Sequence, residues 1–471
     1  MSNNRNLRAS ALALAVLGTL FVGQAAASGF QLREQSVKNL GRAGAGSGVA
    51  QRDAAVVSLN PAAMVNISQR TFQVDGTVID LTAGFTGGGT ALGAPGVLPN
   101  ATLTGGNGGD PGDPTLVPNM SAVFPIASID GLYLGASVGA PFGLKTDYAP
   151  GWVGRYRALT SEVKTVDLTL SAAYKVNDMF SIGVGLIYER AEATLSKSID
   201  FGTAICAQAA AGLPAPNTGN VMLTCFNPGW ALYPLYHPQS ADGSLTVKGS
   251  DTDFGFLVGL QITPNEQFAL GLSYRSRIHQ KLQGTLDFNG VPAILGADPR
   301  FVDGPGGAKL VTPELITLSA RYAFTDNFRM MLDIQHTGWN SLQDVTIVRN
   351  SGTVVGSEDF SWSGSTFVSL GGEYDFSDTF TLRFGVGSDE TPTNDVTRTP
   401  RLPDNDRMVY ALGASWHVSE NLSLDAAYQR IEIKTPKIAL PVDLPHSNTS
   451  TLYGSFGGHA NLFGLSMQYR F

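Results

Sequence analysis

Charge is scarce in this chain: of 471 residues only 15% are Asp, Glu, Lys or Arg, while 43% are hydrophobic. So few charges cannot solvate a large soluble exterior, and an apolar surface is left to be explained. Long apolar runs are missing too. Beyond Ala27 no stretch supplies the roughly 20 consecutive apolar residues of a membrane-spanning helix, and 55 glycines argue against a helical membrane protein. Runs of Lys and Arg are absent and the net charge is −8, which together argue against a nucleic-acid surface. The six histidines are scattered without the spacing of metal ligands, so neither a metal nor a cofactor is expected. Cysteine is limited to Cys206 and Cys225.

What is present begins with an export signal. Arg5 and Arg8 precede the apolar run Ala11 to Val22, which leads to Ala25-Ala26-Ala27. That is the order of a secretory signal peptide, residues 1–27, cleaved after Ala27 to leave Ser28; an N-terminal membrane anchor is the alternative. In an oxidising compartment, Cys206 and Cys225 are read as a loop-closing disulfide, with half of a zinc site as the weaker reading.

The rest of the chain reads in period two. The last nine residues put Phe463, Leu465, Met467, Tyr469 and Phe471 on one face and Gly464, Ser466, Gln468 and Arg470 on the other. The same alternation predicts about fourteen strands. They are Thr71 to Phe85, Asn119 to Ile126, Gly131 to Lys145, Val163 to Val176, Met179 to Ser198, Leu245 to Ile262 and Gln267 to Phe288. Seven more follow, at Glu314 to Phe324, Phe328 to Val348, Phe360 to Phe376, Thr379 to Ser388, Arg407 to Val418, Leu422 to Lys434 and Leu452 to Phe471. Tight polar links such as Asn177-Asp178 and Ser377-Asp378 alternate with long ones, about 86–116, 201–243 and 289–312, and aromatics (Tyr174, Tyr322, Phe324, Tyr374, Phe376) crowd the short turns. One apolar face, no covering helices and asymmetric ends predict an all-β protein: a transmembrane antiparallel β-barrel over residues 69–471, with short periplasmic turns and long external loops. The Gly- and Ala-rich stretch 28–68 suits neither strand nor long helix and is read as a hatch filling the lumen.

Several segments, spread over the whole mature chain, carry a family resemblance. They are Gly29-Phe-Gln-Leu, Leu40-Gly41-Arg42-Ala43, Asn60-Pro61-Ala62, Pro141-Phe142-Gly143-Leu144 with Trp152-Val-Gly-Arg-Tyr156, and Asp389-Glu-Thr-Pro392 with Leu402-Pro-Asp-Asn-Asp-Arg407. Together they closely resemble the FadL family of outer-membrane long-chain fatty-acid transporters. The resemblance implies a fourteen-stranded barrel plugged by its N-terminal hatch and passive uptake of a hydrophobic small molecule. Loops capture it, a buried pocket holds it, and hatch movement releases it sideways through a gap in the wall into outer-membrane lipid. The alternative cargo is an aromatic or aliphatic hydrocarbon.

The residues themselves nominate parts for such a pathway. Asn60, Pro61 and Ala62 form the hatch motif. Gly139, Pro141 and Gly143 weaken the third strand's ladder and mark the lateral gap, unless Pro141 lies beyond the membrane. Trp230, Leu232, Tyr233, Leu235 and Tyr236 make an apolar loop groove, with Val291, Ile294, Leu295, Phe301 and Val302 on a second loop; packing of the loops on themselves is the plainer reading. Strand phase points Lys197, Arg275, Arg321 and Arg383 inward as contacts for a cargo carboxylate, although lumen arginines are often paired with carboxylates such as Glu373 or Asp333. The family's basic ligands do not map cleanly here. No catalytic residue is expected: Gly135-Ala-Ser137-Val-Gly139 fits G-x-S-x-G, but inside a strand and not at a strand-to-helix turn. A monomer is expected, and an outer-membrane lipase is the distant alternative.

Overall fold

The computed structural model describes residues 29–91, 101–443 and 448–471; the expected signal segment and Ser28 lie outside them. Among the described residues, fourteen antiparallel strands close into one barrel. The first seven are β1 (Thr71–Gly88), β2 (Thr115–Pro125), β3 (Leu132–Gly139, resuming at Gly143–Asp147), β4 (Thr160–Lys175), β5 (Phe180–Asp200), β6 (Asp242–Ile262) and β7 (Phe268–Arg275 with Ile278–Asn289). The rest are β8 (Gly304–Thr312 with Leu315–Ala323), β9 (Phe328–Thr337 with Asp344–Arg349), β10 (Val354–Asp359 with Ser365–Ser377), β11 (Phe380–Asp389), β12 (Arg407–His417), β13 (Leu422–Ile433 with Lys437–Leu440) and β14 (Leu452–Arg470). Closure is made by β1, which pairs with β2 on one side and runs along β14 from Thr71↔Arg470 to Gly88↔Tyr453 on the other. A closed ring leaves no sheet edge in hydrocarbon, which is why strands of such low charge are stable in lipid.

Side-chain alternation assigns the two faces. On β14, Phe463, Leu465, Met467 and Tyr469 are exposed outward, while Ser466 and Gln468 are buried inward. Exposed Tyr174, Tyr322, Phe324, Tyr374 and Phe376 ring the end with the short turns, the periplasmic end. The turns are short because side chains cap them: Asn177 Oδ1 accepts from the amides of Met179 and Phe180 at 2.9 and 2.8 Å, and Asn265 repeats this for Gln267 and Phe268.

Two stretches read from sequence as loops are strands. Gly304–Thr312 pairs with β7 from Ile278↔Thr312 to Leu286↔Gly304. Its glycines disguised it, but they are needed: a Cβ on Gly306 would come within 2.3 Å of Leu286 Cδ1, and one on Gly307 within 2.2 Å of Leu282 O. The link between β9 and β10 is a tight turn and not a long loop, because Gly352, at φ 86°, reverses the chain between Arg349 and Val354.

Residues 29–68 run inside the ring as short helical turns: Val37–Leu40, Ser47–Val49, Val56–Leu59 and Pro61–Asn66. Their orphan amides are met by wall carboxylates. Asp75 accepts from Val37 N at 2.9 Å, and Asp333 accepts from the amides of Gly46 and Ser47 at 2.7 and 3.1 Å. This explains why so Gly-rich a segment stays ordered, since the wall supplies hydrogen bonds that its own brief turns cannot.

Candidate functional site

Asn60, Pro61 and Ala62 sit on wall backbone. Asn60 caps the turn that follows, accepting from Ala62 N at 3.2 Å, and its amide donates to Gly48 O at 2.7 Å and to Leu260 O on β6 at 3.3 Å. The floor beneath is glycine. A Cβ at Gly259 would lie 2.0 Å from Asn60 Oδ1, one at Gly183 2.5 Å from Ala62 N, and one at Gly271 2.5 Å from Gly48 O. Only a wall without side chains admits the segment so closely.

Ion pairs hold the same segment laterally. Glu373 of β10 accepts from Arg42 of the segment, from Arg329 Nε at 2.7 Å and from Arg383 Nε at 2.8 Å. Arg383 Nη1 also lies 3.5 Å from Asp425, which lies 3.8 Å from Lys38 Nζ. Carboxylates and cations alternate through this buried cluster, which is how charges are tolerated away from water.

The wall is interrupted at Pro141. Pairing of β3 with β2 ends at Met120↔Val138, and pairing with β4 passes from Gly139↔Asp167 to Gly143↔Lys164 with one extra residue on β3. The N-terminal segment fills the break: Leu32 N donates to Pro141 O at 2.7 Å, and Gly143 N to Phe30 O at 2.8 Å. Gln31 thereby forms a single antiparallel bridge with Phe142. Beside it, Arg275 of β7 donates to Asp167 at 2.6 Å and Glu189 at 2.9 Å, and its guanidinium stands 5.6 Å over the Phe142 ring. A cavity of mixed character, bordered by Gly139, Pro141, Asp167, Arg275, Gln335 and Phe367, lies directly inside the break.

A second cavity, above the first, is apolar. Phe30, Leu144, Val163, Leu282, Leu310, Phe360, Trp362 and Leu402 line it, and Phe30 packs edge-on to Trp339 with ring centres 4.7 Å apart. One guanidinium reaches it. Arg401 is buried, donates through Nε to Glu358 at 3.2 Å and through Nη1 to Ser161 Oγ at 3.0 Å, and borders the cavity together with Glu358. Arg157, in the loop between β3 and β4, is held near Glu358; burial pushes its guanidinium down to about 10, so it stays charged at neutral pH.

The external loops carry separate small cores. Cys206 and Cys225 are joined, with sulfurs 2.05 Å apart, and Trp230 packs against them. The helix Phe201–Ala211 brings Phe201 and Ile205 against Leu295 of the next loop, with Trp230, Leu232, Tyr236, Val291 and Phe301 around them. Leu235, Ile294 and Val302 remain exposed, and Tyr233 stacks obliquely on His237 at 5.6 Å.

The sequence-nominated residues thus fall in four places: segment floor, wall break, loop tips and lumen. Of the four inward cations, Arg275 and Arg383 are engaged by carboxylates, and Arg321 donates to Glu266 O at 3.2 Å near the periplasmic end. Lys197 shares the neighbourhood of Glu358, Arg401 and Arg157. Arg401 escaped sequence reading because it lies in the irregular link between β11 and β12, where strand phase predicts nothing. The available signal was its neighbour Leu402, inside a segment that carries the family resemblance.

The profile of the family described as Outer membrane protein transport protein (OMPP1/FadL/TodX) matches residues 18–471. The chain is 27% identical to Outer membrane protein P1 of Haemophilus influenzae over 484 residues, covering 99% of each. It is likewise 27% identical to the long-chain fatty acid transport protein of Escherichia coli K12, covering 100% of each. Among solved structures, a Pseudomonas aeruginosa FadL homologue superposes with a TM-score of 0.81 at 27% identity, covering 94% of this chain and 99% of that one.

Proposed function

Because the chain belongs to the OMPP1/FadL/TodX family, and is therefore a β-barrel transporter of the Gram-negative outer membrane and not an enzyme, we propose that it takes up long-chain fatty acids passively. The external loops around Trp230 to Tyr236 capture the cargo, the apolar cavity holds it, and movement of residues 28–68 releases it sideways at Pro141. The observation that carries this is the occupied wall break: Phe30 to Leu32 complete the hydrogen bonding of β3 where its own neighbour does not. Withdrawing those three residues opens a path between cavity and lipid, so the cargo's chain need never cross water. Arg401 favours a carboxylate over a hydrocarbon cargo, since a guanidinium bordering an otherwise apolar cavity gains most from an anion.

Bulky side chains at Gly139 or Gly143 test the exit. At Gly143 a Cβ would already come within 3.0 Å of Leu32 Cδ1. Oleate uptake should fall sharply while binding to detergent-solubilised protein stays within about threefold, because neither glycine itself lines the apolar cavity. Normal uptake by such variants would mean axial release into the periplasm. Binding of an alkane but not oleate by the unchanged protein would reassign the cargo to hydrocarbons.

A further inference from the structure

A second break lies further round the same wall, between β6 and β7. Pairing runs from Leu270↔Ile262 to Arg275↔Leu257 and resumes only at Gln283↔Ser250. Residues 276–282 therefore face 251–256 without a ladder. The bond Ser276 N to Phe256 O crosses at 2.9 Å, and side chains do the rest: Ser276 Oγ accepts from Phe256 N at 2.9 Å and Asp251 Oδ2 from Lys281 N at 2.5 Å. The cause is an inward step of β7. Ile278 lies over Gly255, where a Cβ would come within 2.6 Å of its Cδ1, and Gln280 reaches across to Glu189 Oε1 at 3.1 Å. β7 and β8 keep one register through the step, from Arg275↔Leu315 to Ile278↔Thr312, so they step inward as one ribbon.

What lies on either side of this seam is matched. Inside, Val247 and Gly249 of β6 and Leu282 of β7 border the apolar cavity. Outside, Phe254, Phe256 and Tyr274 are exposed to hydrocarbon, and beyond Tyr274 the exposed positions are Arg277, which is paired with Glu314, then His279 and Lys281. Lys281 and Lys309 are direct cross-strand partners, both exposed, and neither has a salt bridge among the described residues. Neighbouring sectors differ: Lys164 and Arg190 on β4 and β5 both pair with Glu192. Like charges placed directly opposite repel, so this pair gains from an anion between them. Of the acids near the patch, Asp251 accepts from Lys281 N and Asp287 from Thr285 Oγ1, and Glu314, five residues beyond Lys309, is held by Arg277 at 2.6 Å.

We propose that the β6–β7 seam is a second lateral port, through which carboxylate amphiphiles already dissolved in the outer leaflet pass straight into the apolar cavity. The proposal rests on the fatty-acid reading above. An amphiphile in a leaflet holds its carboxylate at headgroup height and its tail in hydrocarbon; Lys281 and Lys309 meet the first, and the aromatic lips of the seam meet the second. Arg275 at the lower lip is ion-paired to Asp167, the partner of Gly139, so port and exit share one buried salt bridge.

The test uses full-length protein in lipid vesicles carrying Thr252→Cys and His279→Cys, compared before and after joining by a short bis-maleimide. Oleate is supplied either mixed into the outer leaflet or held on albumin. Joining the seam should slow uptake of leaflet-borne oleate about tenfold and leave albumin-delivered oleate within about twofold, as expected where passage through a gate limits the rate. In a second variant, Lys281→Glu with Lys309→Glu should raise the leaflet fraction giving half-maximal oleate uptake roughly tenfold and leave methyl oleate unchanged. Leaflet-borne oleate moving equally fast through joined and unjoined protein overturns the port. Wild-type protein that moves oleate from neither source overturns the fatty-acid reading beneath it as well.

Discussion

Arg275 illustrates what one residue does in a lumen. It neutralises Asp167 and Glu189 at 2.6 and 2.9 Å, both of them buried, so its removal leaves two carboxylates facing each other without a counter-charge. Breaking a buried pair in this way typically costs about 3–5 kcal/mol. Arg275→Ala should therefore lower the denaturant midpoint of the detergent-folded barrel clearly, and adding Asp167→Asn with Glu189→Gln should restore most of it. An unchanged midpoint in the single variant would show water or another cation reaching the pair. Strand phase alone placed Arg275 inward, because alternation fixes the face of every strand residue. Its partners were not legible: Asp167 and Glu189 lie on β4 and β5, and the inward step of β7 that brings them together has no local sequence signal.

Elements were the most readable scale, for a physical reason. Period two and capped turns are local, so β4, β5 and their Asn177 turn could be seen directly. Gly304–Thr312 could not, because its glycines answer to Leu282 and Leu286 on a neighbouring strand. The same logic applies to the floor under Asn60. Gly259 has no local reason to be glycine; its reason is the segment 2.0 Å from where a Cβ would stand. Gly259→Leu should unseat Asn60-Pro61-Ala62 without opening the barrel, since the side chain points into the lumen and the β5–β6 ladder is unaffected. Planar-bilayer conductance should rise and protease should reach residues 29–68 from the periplasmic side. A variant as tight as wild type would mean that the segment accommodates the side chain in place and is not held by this floor.

At the scale of the whole molecule, wall, lumen segment and external loops are held in different ways. The wall is secured by a closed ladder and the lumen segment by carboxylates such as Asp75, Asp333 and Glu373, whereas the loops rest on small cores of their own around Cys206–Cys225 and Phe201–Leu295. A disulfide closing a loop of this length restrains the unfolded loop by about 3 kcal/mol, and that restraint acts on the loop and not on the barrel. Replacing both cysteines with alanine should thus loosen Trp230 to Tyr236 and raise the oleate concentration for half-maximal uptake several-fold, with the maximal rate and the barrel's heat-modifiable migration nearly unchanged. The split matters because in the proposed uptake the layers act in sequence. A defect in capture is overcome by more substrate, whereas a defect in cavity or exit is not. If the cysteine-free protein instead loses maximal rate at every concentration, the loops must reach into the cavity's own packing and capture is not a separable step.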